Sequence, residues 1–360
     1  MKKGFTLIEL VVAVALLVMV LYAAGRIFKV SIEAHRTATA NAEIMQKLRA
    51  ITDQLNADFK NLRKDGEIFV VWSREKPGDS EYDYDGDGYV RFDRIMFFAD
   101  GDFQSYNRWP KDDPDGKIGK IVRGNVARIS YMLANKASRN PGAPPVRAYS
   151  QRPEKRILAR TQHILTADAQ LDNSLDPNAL TDLTDPLLNE WHNMYEYDKI
   201  TLAEWKNVDR LSKYVALSVI TDVNVGEVGR SGGAVIDPAK PDSSVHTLLC
   251  EGVGEFKVQG WYDELSRWVP EVDPYEDFVL PDPEELPGVL YPYPPYGGVV
   301  LGGEFMPAQP HAYPRHFVDE PDFNKIPGLG RALKFTFTLY DSRGIFKNGR
   351  TFTHIVYTGN

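Results

Sequence analysis

MKKGFTLIELVVAVALLVMVLYAAGR, residues 1–26, decides how the rest of the chain is read. Leu10–Ala24 is a run of 15 apolar residues, and the wider span Phe5–Ala24 is broken only by Thr6 and Glu9. About twenty helical residues rise about 30 Å, the thickness of a bilayer's hydrocarbon core. Lys2 and Lys3 precede the run, so the positive-inside rule leaves the N-terminus in the cytoplasm and the following chain outside. A secretory signal peptide would be shorter and would end in a small-residue cleavage site, whereas this pattern continues into Arg26. A core helix gives no reason for so long an apolar run beside a lysine pair. A plain signal anchor accounts for the hydrophobicity but not for Glu9, because a carboxylate in lipid is costly and calls for a partner or a function.

The junction KGFTLIEL, Lys3–Leu10, resembles the leader junction of type IV prepilins and pseudopilins. It has a basic leader, Gly4 at the junction, Phe5 after it, and Glu9 four residues beyond, all abutting the apolar run. The resemblance implies that a prepilin peptidase cuts after Gly4 and that Phe5 becomes the N-methylated mature N-terminus. It also implies that Glu9 pairs with the Phe5 amine of a neighbouring subunit during assembly. The partners implied are the peptidase, inner-membrane lipid and other pilins or pseudopilins, met through the N-terminal helix.

Beyond Gly25 the pattern turns amphipathic. Ile44, Leu48, Ile51, Leu55, Phe59 and Leu62 recur at helical spacing, with Lys47, Arg49, Asp53, Asp58, Lys60 and Arg63 read as a solvated face. The first proline is Pro77, and Lys64-Asp65-Gly66 reads as a stop. The predicted helix spans Phe5 to about Arg63, about 88 Å if unbroken. Many major pilins kink here at a proline, and Gly25-Arg26 in its place favours a minor subunit.

The remainder reads as short strands. Glu67–Trp72, Arg91–Phe98, two runs within Ile121–Leu133, Tyr214–Val223, His246–Asp263, ALKFTFTLYD from Ala332 and TFTHIVYT from Thr351 are rich in β-branched and aromatic residues. The predicted fold class is α+β, with the long helix packed on antiparallel sheet. The domain reading is a leader at 1–4, a helix at 5–63 (membrane-spanning at 5–24), and a periplasmic β-rich domain at 64–360. Two insertions are predicted, at 136–210 with short helices at Leu158–Leu171 and Leu188–Glu204, and at 270–327. The second holds 13 of the 24 prolines and reads as loop with polyproline character. LLCEGVGEFKVQGWYDE with Trp268, then ALKFTFTLYD and TFTHIVYT, resembles the J-type minor pseudopilin of type II secretion. It is similar as well to the corresponding minor pilin of type IV pili.

Composition and motifs bound the other classes. The net charge of −8 and the absence of a basic stripe argue against nucleic acid. Cys250 is the sole cysteine, so no intrachain disulfide forms, and its apolar setting reads as buried. Asp83, Asp85 and Asp87 alternate before Gly88, with Tyr89 offering a carbonyl and Asp93 a further carboxylate. This resembles the first half of an EF-hand loop and makes calcium the one cofactor to consider. The second half departs from that pattern, with Arg94 where the bidentate Glu belongs, and an acidic turn between strands is the competing reading. Gly229-Arg230-Ser231-Gly232-Gly233 fits G-x-S-x-G, but no helix follows, and a glycine-rich turn is the better reading. No zinc or phosphate-loop motif occurs. The chain reads as a structural subunit and not an enzyme. The alternative from another class is a signal-anchored periplasmic binding domain.

Overall fold

The computed structural model describes residues 6–63, 68–71, 74–75, 90–91, 93–109, 119–137, 152–168, 171, 195–207, 235–236, 247–262, 267–269, 298–301, 304–307 and 332–358. Helix α1 spans Leu7–Lys60 without interruption. Asn61 ends it, its N–H bonding back to Asp58 and Phe59 carbonyls, so the Lys64–Gly66 stop lies just beyond, outside the described residues. Ile44, Ile51, Leu55 and Phe59 are buried, with Leu48 and Leu62 packed beside them, so the predicted stripe is the packed face.

The strands that follow are β1 (Phe69–Val71), β2 (Arg74–Glu75), β3 (Val90–Arg91), β4 (Arg94–Trp109), β5 (Lys120–Lys136), β6 (Ile157–Leu165) and β7 (Tyr197–Asp198). A short helix, α2 (Leu202–Asn207), precedes β8 (Val235–Ile236), β9 (Thr247–Glu251), β10 (Val253–Tyr262) and β11 (Arg267–Val269). The last four are β12 (Gly298–Leu301), β13 (Glu304–Pro307), β14 (Ala332–Leu339) and β15 (Arg350–Tyr357). Among the described residues, the first sheet has the order β1-β4-β5-β6-β7, with β8 on β5 and β9 on β6. The second runs β11-β10-β14-β15, and β2/β3 and β12/β13 form separate ribbons. Pairing is antiparallel except for β5 with β8 and β6 with β7, which gives the predicted α+β class.

Both sheets feed one core against α1. Ile95, Phe97, Ala127, Ile129 and Tyr131 come from the first, and Phe256, Val258, Phe335, Phe337 and Val356 from the second. Phe59 is the ring at their meeting point, with centroids 4.3 Å from Phe97 and 5.6 Å from Phe335. The sheets join at Gly252, where φ is +83°. A Cβ there would sit 2.7 Å from the Tyr340 carbonyl and 2.8 Å from Lys47 Nζ, so both the dihedral and the close approach require glycine.

The structure corrects several expectations. Leu158–Leu171 was expected to be helical within an insertion, yet Ile157–Leu165 is a central strand of the first sheet, paired with both β5 and β9. Its residues are buried on both faces, so the alternation that marks a strand is missing from its sequence. The helix expected at Leu188–Glu204 is reduced to α2, after β7, with 188–194 outside the described residues. Within the proline-rich 270–327, β12 and β13 pair as a hairpin where loop was expected, while Tyr291–Tyr296 lies outside the described residues. The strand expected at Tyr214–Val223 and the glycine-rich turn at Gly229–Gly233 also lie outside them.

Cys250 is buried in β9, opposite Leu158 of β6. Burial pushes its thiol up to about 11, and a neutral buried thiol is a poor nucleophile. At pH 8 the folded chain is expected to resist a thiol-specific reagent that labels the guanidinium-unfolded chain rapidly. Equal labelling rates in the two states would place Cys250 at the surface.

Candidate assembly site

The candidate site is α1 itself, read from tip to root. At the tip, Thr6 is the N-cap and Glu9 stands three residues on. The Glu9 carboxylate accepts from Thr6 N and Thr6 Oγ1 at 2.9 Å each, through the same oxygen, and Glu9 N donates to Thr6 Oγ1 at 3.4 Å. This is a capping box, which satisfies amide donors that a helix start otherwise leaves unpaired. Glu9 therefore has a partner within its own chain, which sequence reasoning missed. The signal was present as Thr6-x-x-Glu9 directly ahead of an apolar run. Gly4 and Phe5 lie outside the described residues.

The shaft follows. From Leu7 through Arg26 and on to Ile32 the helix is bare: Leu16, Val20, Tyr22, Phe28 and Val30 are all more than half exposed, and Ala40 is the first buried residue. The free part, Leu7–Thr39, is about 50 Å long. It contains a helical segment long and apolar enough to cross a membrane, none of it buried against the rest of the chain. Exposed apolar surface on this scale marks a surface that meets lipid or other protein.

The root is polar where the sequence suggested solvent. Asp58, expected on the solvated face, is buried and receives Arg160 Nε at 2.6 Å and Arg160 Nη2 at 2.8 Å, a bidentate pair. Tyr131 Oη also donates to Asp58 Oδ2, and Gln54 Nε2 donates to Oδ1 at 3.1 Å. Burial, then the adjacent carboxylate, holds the Tyr131 phenol well above its ordinary range, so it stays a donor. Burial alone would lower the Arg160 pKa, but the Asp58 carboxylate outweighs it and raises it. Lys47, also expected in solvent, pairs with Glu43 at 2.9 Å and donates to the Tyr340 carbonyl at 2.7 Å. Glu43 in turn accepts from Ser342 N at 2.9 Å and Ser342 Oγ at 3.0 Å. The helix is thus tied by charge to the first sheet through Asp58 and to the β14–β15 turn through Glu43 and Lys47.

Of the calcium candidates, Asp83, Asp85, Asp87 and Tyr89 lie outside the described residues. Asp93 is fully buried just before β4 and is committed to β10. Its N–H donates to the Phe256 carbonyl at 2.9 Å and its Oδ2 accepts from Val258 N at 2.6 Å. Among the described residues no three His, Cys, Asp or Glu side chains are grouped to hold a metal ion.

Residues 1–24 match the family model described as the prokaryotic N-terminal methylation motif. No curated protein and no solved structure gives a significant match. The motif, the bare apolar helix and the α+β fold together support a type IV pilin-like protein. The motif implies processing by a prepilin peptidase and assembly with other pilin-like subunits, and the apolar helix fits a membrane anchor.

Proposed function

We propose that this chain is a minor pseudopilin of a type II secretion system, similar to the J-type subunit, acting as a structural member of the tip complex and not as an enzyme. The observation that carries the reading is the methylation motif on a helix whose first half touches nothing else in the chain. Cleavage after Gly4 frees Phe5, the globular domain stands in the periplasm, and α1 packs among other pseudopilin helices. Glu9 then exchanges its Thr6 contacts for the Phe5 amine of a neighbour as the subunit leaves the lipid.

The test is the mass of the N-terminal peptide from cells with and without a prepilin peptidase. A peptide beginning at N-methylated Phe5, present only with the peptidase, is the expected result. A start at Met1 or Lys2 in both overturns the proposal and leaves a signal-anchored binding domain. Deleting the gene then assigns the machine: loss of protein secretion is expected, whereas loss of surface pili alone would make the chain a minor pilin.

Calcium is a separate proposal, resting on the spacing of Asp83, Asp85 and Asp87 with the Tyr89 carbonyl. Asp93 already spends one carboxylate oxygen on Val258 N and fits the ligand set less well. Bound calcium stabilises the fold by mass action, so millimolar calcium is expected to raise Tm and a chelator to reverse it. An unchanged Tm, identical in wild type and Asp85→Ala, would remove calcium from the account.

A further inference from the structure

Between the apolar run and the domain, one side of α1 is charged. Arg26, Lys29, Glu33 and Arg36 follow one another at steps of three, four and three, so they share a helix face. Arg26 lies five whole turns below Ile44 and is therefore in line with the buried stripe. The opposite side carries Leu17, Leu21 and Phe28, all well exposed. The bases are thus turned beneath the domain, away from a continuous apolar face.

Their depth follows from the rise of an unbroken helix. With Phe5–Ala24 filling the hydrocarbon core, Arg26 stands about 3 Å above its edge and Lys29 about 8 Å. Headgroups occupy roughly the next 5–8 Å on each side of that core, so both bases lie at phosphate depth. Arg36 stands about 18 Å out, beyond the headgroups. Tyr22, exposed one turn below Arg26, takes the position that interfacial aromatic residues favour.

Nothing else in the structure claims this pair. Among the described residues Arg26 makes no ion pair or hydrogen bond, and Lys29 reaches Glu33 only at 4.0 Å with both side chains exposed. An exposed pair of that length holds little. Ala40, the first buried residue, is about 21 Å further along the helix. A second copy inserted from the same side to the same depth would set Arg26 against Arg26. Residues 1–36 carry +3 of the net charge of −8, so the rest of the chain carries −11 and is repelled by an anionic surface. Arg26 and Lys29 are the bases placed to meet that surface with the opposite sign, and phosphate is the group that every inserted chain finds at their depth. We infer that Arg26 and Lys29 bind the phosphates of anionic phospholipids in the leaflet facing the domain. This rests on the reading of α1 as the membrane anchor of a processed pilin-like chain. Removal of Lys2 and Lys3 with the leader would leave this outer pair as the chain's basic hold on the membrane. The apolar face opposite stays open to other helices while the pair is held.

The test reconstitutes the full-length chain into vesicles of mixed phosphatidylcholine and phosphatidylglycerol, floats them, and weighs the chain with its retained lipids by native mass spectrometry in mild detergent. Phosphatidylglycerol is expected to be enriched over its share of the vesicle, by about fivefold for each base. Arg26→Gln/Lys29→Gln should float equally well, keep its Tm and lose the enrichment. Arg36→Gln, the same loss of charge on the same face but beyond the headgroups, should keep it. Flotation without enrichment would overturn this inference alone, and would mean that acidic side chains of this chain or a neighbour occupy the pair. An equal loss in Arg36→Gln would also overturn it, leaving only diffuse attraction. A chain that does not float with the vesicles would overturn both the inference and the reading beneath it.

Discussion

Asp58→Ala is expected to cost about 3–5 kcal/mol of folding stability, read from guanidinium unfolding of the detergent-solubilised chain. The change removes the anion between Arg160 and Tyr131 and leaves a buried guanidinium uncompensated. The penalty belongs to the orphaned charge more than to the pair, because exchanging both partners for apolar groups of similar size is often nearly neutral. Asp58→Leu combined with Arg160→Met should therefore recover most of the loss. Tyr131→Phe, which deletes one hydrogen bond and keeps the ion pair, should cost about 1–2 kcal/mol. A loss below about 1 kcal/mol for Asp58→Ala would mean that water reaches the site and that the apolar stripe alone seats the helix.

The second large effect lies at the other end of α1. Glu9→Ala is expected to leave membrane insertion intact and to reduce incorporation into filaments by tenfold or more. An unpaired carboxylate and an unpaired amine are both costly in lipid, and each is the other's remedy. Since Glu9 also caps its own helix, the two roles need separating. Thr6→Ala removes the cap's hydroxyl while keeping the carboxylate, and costs the helix end about 0.5–2 kcal/mol. Glu9→Gln keeps hydrogen-bonding capacity and loses the charge. Assembly should survive Thr6→Ala and fail in Glu9→Gln. The reverse pattern would reduce Glu9 to a cap.

The helix and the outer strands were legible in the sequence because each is patterned by one buried face. Ile44 through Leu62 keeps helical spacing, and β10, β14 and β15 alternate as half-buried strands should. Strand β6 was not legible, since a strand buried on both sides loses the alternation and reads like any apolar segment. Asp58 was misread for a related reason. Local pattern places an acid among Lys60 and Arg63 on a wet face, but its partner Arg160 is 102 positions away on the misread strand. Long-range charge pairing leaves no local trace. At the tip, the cap at Thr6 was readable, but the membrane cost of Glu9 drew the reading towards an external partner.

The two polar ties at the root of α1 bear on mechanics. Any machine that draws this subunit out of a bilayer pulls along the helix axis, and the bare shaft passes that load undiminished to its base. There Lys47 and Glu43 meet the β14–β15 turn, and about three turns beyond Lys47 the Asp58 carboxylate meets Arg160. Bonds arranged across the pulling direction must slide together and cannot be peeled one at a time. The domain is built as a shear-loaded joint, in which the hydrophobic face supplies adhesion and the charged pair at Asp58 acts as the key that stops slippage.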